Sequence, residues 1–341
     1  MTFTRRSAMC SLLAAPALAI PRRACAAVRT LRISHQFPAA TQDQGDFRDR
    51  LVRRFAAGVE QRTKGELAFT VHPASSLMKT VPQFAALRSG ALDLSLYPLA
   101  YASDEMPEAS IGLIPCLVMT YGQGMAWKTH PIGRELTGFL EQRGVKVVTW
   151  VWQAGSTACR TAPLTSPGEF RGLRVRGGSR EMDLMFQDAG SVISVIPSND
   201  IYAAMRAGTL DAAVTSSTSV ASFRLQDVSK GVTVGGTGSF WFMFEPLLMS
   251  KQVFDGLPAA HRDAIVEVGA GLEDFGVEAA QADDETLTKV FRAAGGVAKD
   301  LDESSMDAWR TLAERTAWTE FASRNATCAK LIKLAGTVDP V

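Results

Sequence analysis

Residues 202–214 read YAAMRAGTLDAAV, and residues 84–96 read FAALRSGALDLSL. Set side by side without a gap, both run aromatic, Ala, Ala, long apolar, Arg, small, Gly, small, Leu, Asp, then mostly apolar residues. The first half of each predicts a short helix. In the later copy Ile201, Ala204 and Met205 recur at i, i+3, i+4, with Asp200 or Asn199 placed to cap the start. Gly90 and Gly208 stand where the helices should stop, because glycine takes the left-handed conformation without a Cβ clash. The segment after each glycine is short and apolar, as in a strand buried in a parallel sheet. Each phrase is helix, tight turn, buried strand.

Unrelated αβ units use similar residues, so the surroundings decide whether the phrase is a true repeat. Before the first copy come a strand LRISHQF (31–37), a helix over 46–62 with Phe47, Leu51, Phe55 and Val59 on one stripe, and a strand LAFTVHP (67–73). Before the second come a strand GLRVR (172–176), a helix through 182–189 and a strand VISVIP (192–197). Strand, helix, strand, helix-Gly-strand occurs twice, which predicts two related α/β lobes. A helix near 131–143 and a strand VKVVTWVW (145–152) lead from one to the other. GVTVGGTG crosses back, and EPLLMS (245–250) returns as a strand to the first lobe. From Pro258 the chain is helical for a long way. A strand-like GVAKDL (296–301) and a last helix, with Trp309, Leu312, Ala313, Ala317 and Phe321 on its buried face, complete it. Several crossings make a hinge and not a floppy linker. The expected division is 1–26 as signal peptide, 27–153 plus about 240–280 as lobe I, 154–239 plus about 281–305 as lobe II, and 306–341 as a C-terminal helical segment.

Composition agrees with this scale. The chain has 341 residues, 46% of them hydrophobic, more than one typical core organises. A net charge of +1 without a basic block leaves no footprint for nucleic acid. At the N-terminus, Arg5 and Arg6 precede an apolar, Ala-rich run, and Ala24-Cys25-Ala26 makes an A-x-A cleavage signal, with cleavage expected after Ala26. The run is too short to span a bilayer comfortably. Adjacent arginines admit a twin-arginine signal, with an ordinary Sec signal as the alternative. The remaining Cys116, Cys159 and Cys328 cannot all pair and show no metal-like spacing, which fits buried thiols.

In open α/β sheets ligands bind beyond the carboxyl ends of the strands. Arg176 ends GLRVR and is followed by Gly177-Gly178-Ser179. A guanidinium there can meet a carboxylate with two parallel hydrogen bonds. Arg160, Arg174 and Arg180 lie nearby, and Arg174 alternates with Arg176 onto the same sheet face. His35 closes the first strand; the other histidines are scattered. Tyr97 and Trp241 are among several aromatics near strand ends, most of them expected in the core, and Gln153 and Ser198 are polar candidates close to other strand ends. GGTGS (235–239) lacks the strand-to-helix setting of a phosphate loop. Asp93 and Asp211 fall at the same place in the two phrases, which favours a structural role at the helix–strand junction. G-x-S-x-G and a plausible Cys–His pairing are missing.

Three segments together resemble DctP-type solute-binding proteins of tripartite ATP-independent periplasmic (TRAP) transporters. They are TKGELAFTVHPASSLMKTVPQFAALRSGALDLSL, SPGEFRGLRVR and LLMSKQVFDGLPAAHRDAI, and the similarity covers essentially the whole chain after the signal. The resemblance implies a two-lobed periplasmic binding protein (Venus-flytrap) fold of the α/β class, with crossover strands and a long helix against both lobes. It implies a periplasmic receptor that closes on a small organic acid and delivers it to TRAP membrane subunits; a monomer without a cofactor is expected, and no residue is assigned as a metal ligand. The family's carboxylate-binding arginine falls on Arg176. Gln36 lies where a further polar contact is often found, and Lys79 where an acidic one can occur. Where many members have Glu-Asn-Pro, this chain has VTSS, with Thr215 near the asparagine position. Where sialic-acid-binding members carry a second arginine, it has Ser156 or Thr157, with Arg160 displaced, so sialic acid is not expected. A ligand sensor for a signalling receptor and a periplasmic enzyme on the same frame are the alternatives.

Overall fold

The computed structural model describes residues 28–41, 43–234 and 239–339. The expected signal peptide and nearly all of GGTGS lie outside the described residues. Twelve strands are described: β1 (Arg29–Ser34), β2 (Leu67–His72), β3 (Leu94–Leu96), β4 (Val145–Thr149), β5 (Trp152–Cys159), β6 (Arg174–Arg176), β7 (Val192–Ile193), β8 (Ala212–Ser216), β9 (Gly231–Val234), β10 (Phe242–Phe244), β11 (Leu247–Ser250) and β12 (Val297–Asp300). They form two sheets, one ordered β2-β1-β3-β11-β4, the other β12-β9-β5-β8-β6-β7 with β10 against β5.

The quoted phrases occupy equivalent places. Helix Gln83–Arg88 stops at Gly90 (φ 72°) and helix Ile201–Arg206 at Gly208 (φ 71°). Each is followed by a strand parallel to the strand that opens its lobe, with Ile33 opposite Leu94 and Val175 opposite Ala212. The two aspartates then do the same work. Asp93 accepts the backbone N–H (2.8 Å) and Nε (3.2 Å) of Arg32, and Asp211 accepts the backbone N–H (3.0 Å) and Nε (2.8 Å) of Arg174. Each carboxylate clips the start of its strand to the neighbouring strand. One detail differs from expectation: Asp200 makes no capping hydrogen bond, because a 3-10 turn over Ser198–Asp200 already leads into the helix.

VKVVTWVW is not one strand. β4 ends at Thr149, and β5 begins at Trp152 in the other sheet, so the chain changes sheets at Trp150–Val151. The return runs from β10, antiparallel to β5, through Glu245-Pro246 into β11. Two adjacent crossings thus connect the two sheets, at the place expected to act as a hinge. VISVIP is strand only at Val192–Ile193, because its partner β6 ends at Arg176 and the chain beyond turns into the cleft.

Helix Glu273–Ala293 has 21 residues, about 30 Å at 1.5 Å per residue. Ala279 and Ala280 pack in the core of the first lobe, Leu287 and Phe291 in that of the second, so the helix spans both. The C-terminal helices divide likewise: Trp309, Leu312 and Ala313 join the second lobe, Phe321, Cys328, Leu331 and Ala335 the first. The C-terminal helical segment thus packs into both cores. Cys116, Cys159 and Cys328 are free, buried thiols. No helix among the described residues is long and apolar enough to cross a membrane.

Candidate functional site

β6 carries the sequence RVR, and its last residue differs in kind from its counterpart in the first lobe. By register Arg174 corresponds to Arg32 and Arg176 to Ser34. The second copy therefore places a cation at the strand end where the first has a hydroxyl. Arg176 is buried, and its Nε donates to Ile196 O (3.1 Å), Nη1 to Val214 O (2.7 Å) and Nη2 to the hydroxyl of Tyr101 (2.7 Å). One N–H on Nη1 and one on Nη2 remain after these bonds. All three acceptors are neutral, and among the described residues Arg176 forms no ion pair.

The two glycines after Arg176 are required by this packing. A Cβ on Gly178 (φ 106°) would lie 2.8 Å from Arg176 Nη1, and one on Gly177 would lie 2.5 Å from Asp183 Oδ1. Asp183 instead accepts the Gly177 N–H at 3.0 Å. Burial raises the Asp183 carboxyl to about 6, although the nearby Arg176 and the glycine N–H groups pull the other way. Ser179 caps the helix Arg180–Asp188 that carries this aspartate.

Arg176 faces a small enclosed chamber where the lobes meet. Pro98, Tyr101 and Leu113 come from the first lobe, Gly177, Gly178, Ser198 and Thr215 from the second, and Trp241 and Met243 from the returning crossover. It offers about 10 Å³ to the centre of a water-sized sphere, room for roughly one water. On its other side Arg176 lines an open groove of about 430 Å³ with Val81, Tyr101, Asp104, Asp183 and Val195. The lobes touch directly. Tyr101 Oη accepts the Ser198 N–H at 3.0 Å as well as Arg176, and Gln36 Nε2 donates to Ser198 Oγ at 3.1 Å. The Trp241 ring lies over Gly155, where any Cβ would come within 1.7 Å of it, and its indole N–H is buried without a hydrogen-bond partner among the described residues.

The structure thus brings Arg176, Thr215, Ser198 and Trp241 together, with Gln36 at their edge. Tyr97 stands behind Tyr101, its ring edge-on at 6.2 Å and its hydroxyl donating to Val81 O. His35 is buried against Asp49 (3.0 Å), away from the chamber. Gln153 sits at the hinge, donating to Glu245, which also pairs with the fully buried Arg48 at 3.4 Å. Burial raises Glu245 to about 7 against the pull of Arg48. Arg48 also reaches Asp46 (2.7 Å) and the second-lobe hydroxyls of Ser219 (2.9 Å) and Ser222 (3.3 Å). Arg160 departs from expectation: it is half exposed, 3.6 Å from Asp211, at the opposite end of the strands. Arg174 is likewise held by Asp211 at 2.6 Å.

Sequence reading passed over Tyr101 and Asp183. Tyr101 lies one 3-10 turn, Leu99–Ala102, past the end of β3. Attention to strand ends reached Tyr97 and stopped short of it. Asp183 had no local signal, since only the turn at Gly177-Gly178 folds its helix back onto Arg176.

The family described as bacterial extracellular solute-binding protein, family 7 (DctP), matches residues 40–325. A solute-binding protein of Albidiferax ferrireducens is 51% identical over 312 residues, 92% of each chain. A TRAP periplasmic solute-binding protein from Rhodoferax ferrireducens, solved with bound malonate, superimposes with a TM-score of 0.89 at 51% identity, over 90% of this chain and 98% of that one. The C4-dicarboxylate-binding periplasmic protein DctP of Rhodobacter capsulatus is 24% identical over 280 residues, 78% of each chain. With the family matched over most of its length and a relative at half identity across nearly all of it, this chain belongs to the DctP family of extracellular solute-binding proteins.

Proposed function

We propose that this protein is an extracytoplasmic receptor that closes on a small organic acid, holds its carboxylate at Arg176 and hands it to a TRAP membrane complex. The carrying observation is the buried guanidinium of Arg176, which keeps N–H groups to spare beside the chamber and pairs with no carboxylate among the described residues. A buried cation is stable only when paired or well hydrogen-bonded, and an arginine fork matches a carboxylate in shape and charge. Thr215, Ser198 and Trp241 would meet the body of the acid. Gln36 and Tyr101, reaching from the opposite lobe, would report closure. The chamber has no room for an organic acid at this degree of closure, so entry requires the lobes to part at the two hinge crossings and to close again around it.

Export rests on the N-terminal basic residues, apolar run and A-x-A triplet, and delivery to membrane subunits rests on the family. Binding without turnover is the corresponding role. A thermal-shift screen with malonate, succinate, malate, pyroglutamate and glucuronate tests the reading. An acid present at about 100 times its dissociation constant adds roughly 2.7 kcal/mol of stability. Small-angle scattering with the best acid should show a smaller radius. An unmoved melting midpoint across all five acids would remove the carboxylate assignment. Uptake of the best acid by vesicles bearing TRAP membrane subunits, with and without this protein, checks delivery.

A further inference from the structure

Three residues, Tyr101, Arg176 and Gly178, line both the enclosed chamber and the outer groove. They are the wall between the two. Gly178 contributes only backbone, so the wall is in substance the tyrosine ring and the guanidinium, whose carbon lies 6.0 Å from the ring centre. The ring comes from the first lobe, and its hydroxyl accepts from two donors of the second, Arg176 Nη2 and the Ser198 N–H. Its position is backed by Tyr97, edge-on behind it and tied to Val81 O. The wall therefore exists only when the lobes are closed and Tyr101 stands in this place.

We propose that Tyr101 sets the length of acid the receptor accepts: closed onto Arg176, it seals the chamber from the groove, and only acids ending on the chamber side allow that closure. A longer acid held at Arg176 must run its tail through the wall. It then displaces the hydroxyl and leaves Arg176 Nη2 and the Ser198 N–H to find other acceptors, at a cost in affinity. On the chamber side the remaining lining is short of charge: Thr215 and Ser198 offer hydroxyls, and Trp241, Met243 and Leu113 offer apolar surface. At the present closure the chamber holds roughly one water, so the class that fits is a short-chain acid of a few carbons, around which the lobes close less far while Tyr101 still meets Arg176. This inference rests on the carboxylate reading of Arg176.

Calorimetric titration with the straight-chain diacids malonate, succinate, glutarate and adipate decides it, using wild type, Tyr101→Ala and Tyr101→Phe. In wild type, affinity should fall about tenfold or more from the best short acid to adipate. Tyr101→Ala joins chamber to groove and should bring adipate to within about threefold of that short acid. Tyr101→Phe keeps the ring, and so the steric part of the length limit, but a long acid there breaks no hydroxyl hydrogen bonds, so its ratio should fall between wild type and alanine. It loses both cross-lobe hydrogen bonds, so the best short acid should dissociate about tenfold faster with little change in association rate. The phenylalanine variant keeps the packing against Tyr97 and guards against misreading an unfolded alanine variant. Should wild type bind short acids and adipate equally, or should Tyr101→Ala keep the wild-type ratio, the wall sets no length. Should wild type bind no diacid at all while remaining folded, the carboxylate reading falls and this inference with it.

Discussion

Replacing Arg176 by alanine should abolish tight binding while leaving the fold in place, and the structure sets the size of both effects. With an acid bound, the guanidinium is its only cationic partner among the described chamber residues. Truncation would leave a desolvated carboxylate facing apolar surface and hydroxyls. Removing one partner of a buried, hydrogen-bonded charge pair costs about 2–5 kcal/mol, or roughly 30-fold to several thousand-fold in affinity. Without acid the balance differs. The alanine variant leaves Ile196 O and Val214 O without their donor, at roughly 1–3 kcal/mol for each such group. It also removes a buried cation that forms no ion pair among the described residues, which offsets part of that loss. The melting midpoint of the free protein should therefore fall by less than the two carbonyl losses together, with the fold retained. Arg176→Lys should recover only part of the binding, because a point-like ammonium cannot supply the forked contact or reach all three present acceptors. Arg174→Ala and Arg160→Ala are controls. Both side chains serve Asp211 at the half-exposed far end of the strands, where ion pairs contribute little. Calorimetric titration with malonate, or with a tighter acid from the screen, measures all four variants. Equal affinity for wild type and Arg176→Ala would refute the anchor, and a larger loss at Arg160 or Arg174 would move it there.

The buried groups lead to three further outcomes. Glu245 carries a folded-state pKa of about 7 against 4.5 for a free glutamate, so between those pH values the folded protein holds a proton that the unfolded chain has lost. Stability then falls as pH rises through that window; Asp183 and Asp284, each raised to about 6 by burial, act in the same direction. Thermal melts should give a higher midpoint near pH 5 than near pH 7.5, and Glu245→Gln should shrink the difference; an unchanged slope in that variant would show that Glu245 is not its source. Gly155→Ala drives a methyl into the Trp241 ring and should cost about 1–3 kcal/mol in denaturant unfolding, with a change in tryptophan fluorescence; wild-type values for both would mean the ring moves freely. Burial raises the thiols of Cys116 and Cys328 to about 12, so at pH 8 the native protein should react with a thiol reagent much more slowly than the unfolded one, and rapid native labelling at either residue would contradict its burial.

The duplicated phrase carried much of the fold because its information is local. Helix, glycine stop and buried strand are each written within a few residues, by periodicity, by a positive φ at Gly90 and Gly208, and by a short apolar run. Asp93 and Asp211 were legible as structural for the same reason, since equal positions in equal units call for equal work. Arg176 could be singled out because it ends a strand and two glycines come next. Its surroundings could not, because those contacts join residues far apart in the chain. Tyr101 meets Arg176 75 positions away, and Gln36 meets Ser198 162 positions away. Only closing one lobe on the other turns those distances into hydrogen bonds. The same step separated Arg160 and Arg174 from Arg176, which the sequence offered together with them. Arg174 and Arg160 went to Asp211 because the start of β8 lies beside them. Arg176, two residues along the same strand from Arg174, was carried to the opposite end of the sheet, where it forms no ion pair among the described residues. Period and turn chemistry fix which elements form, and so the sequence by itself determined two α/β units. Which side chains share the cleft depends on packing between units, and only the tertiary structure decided that.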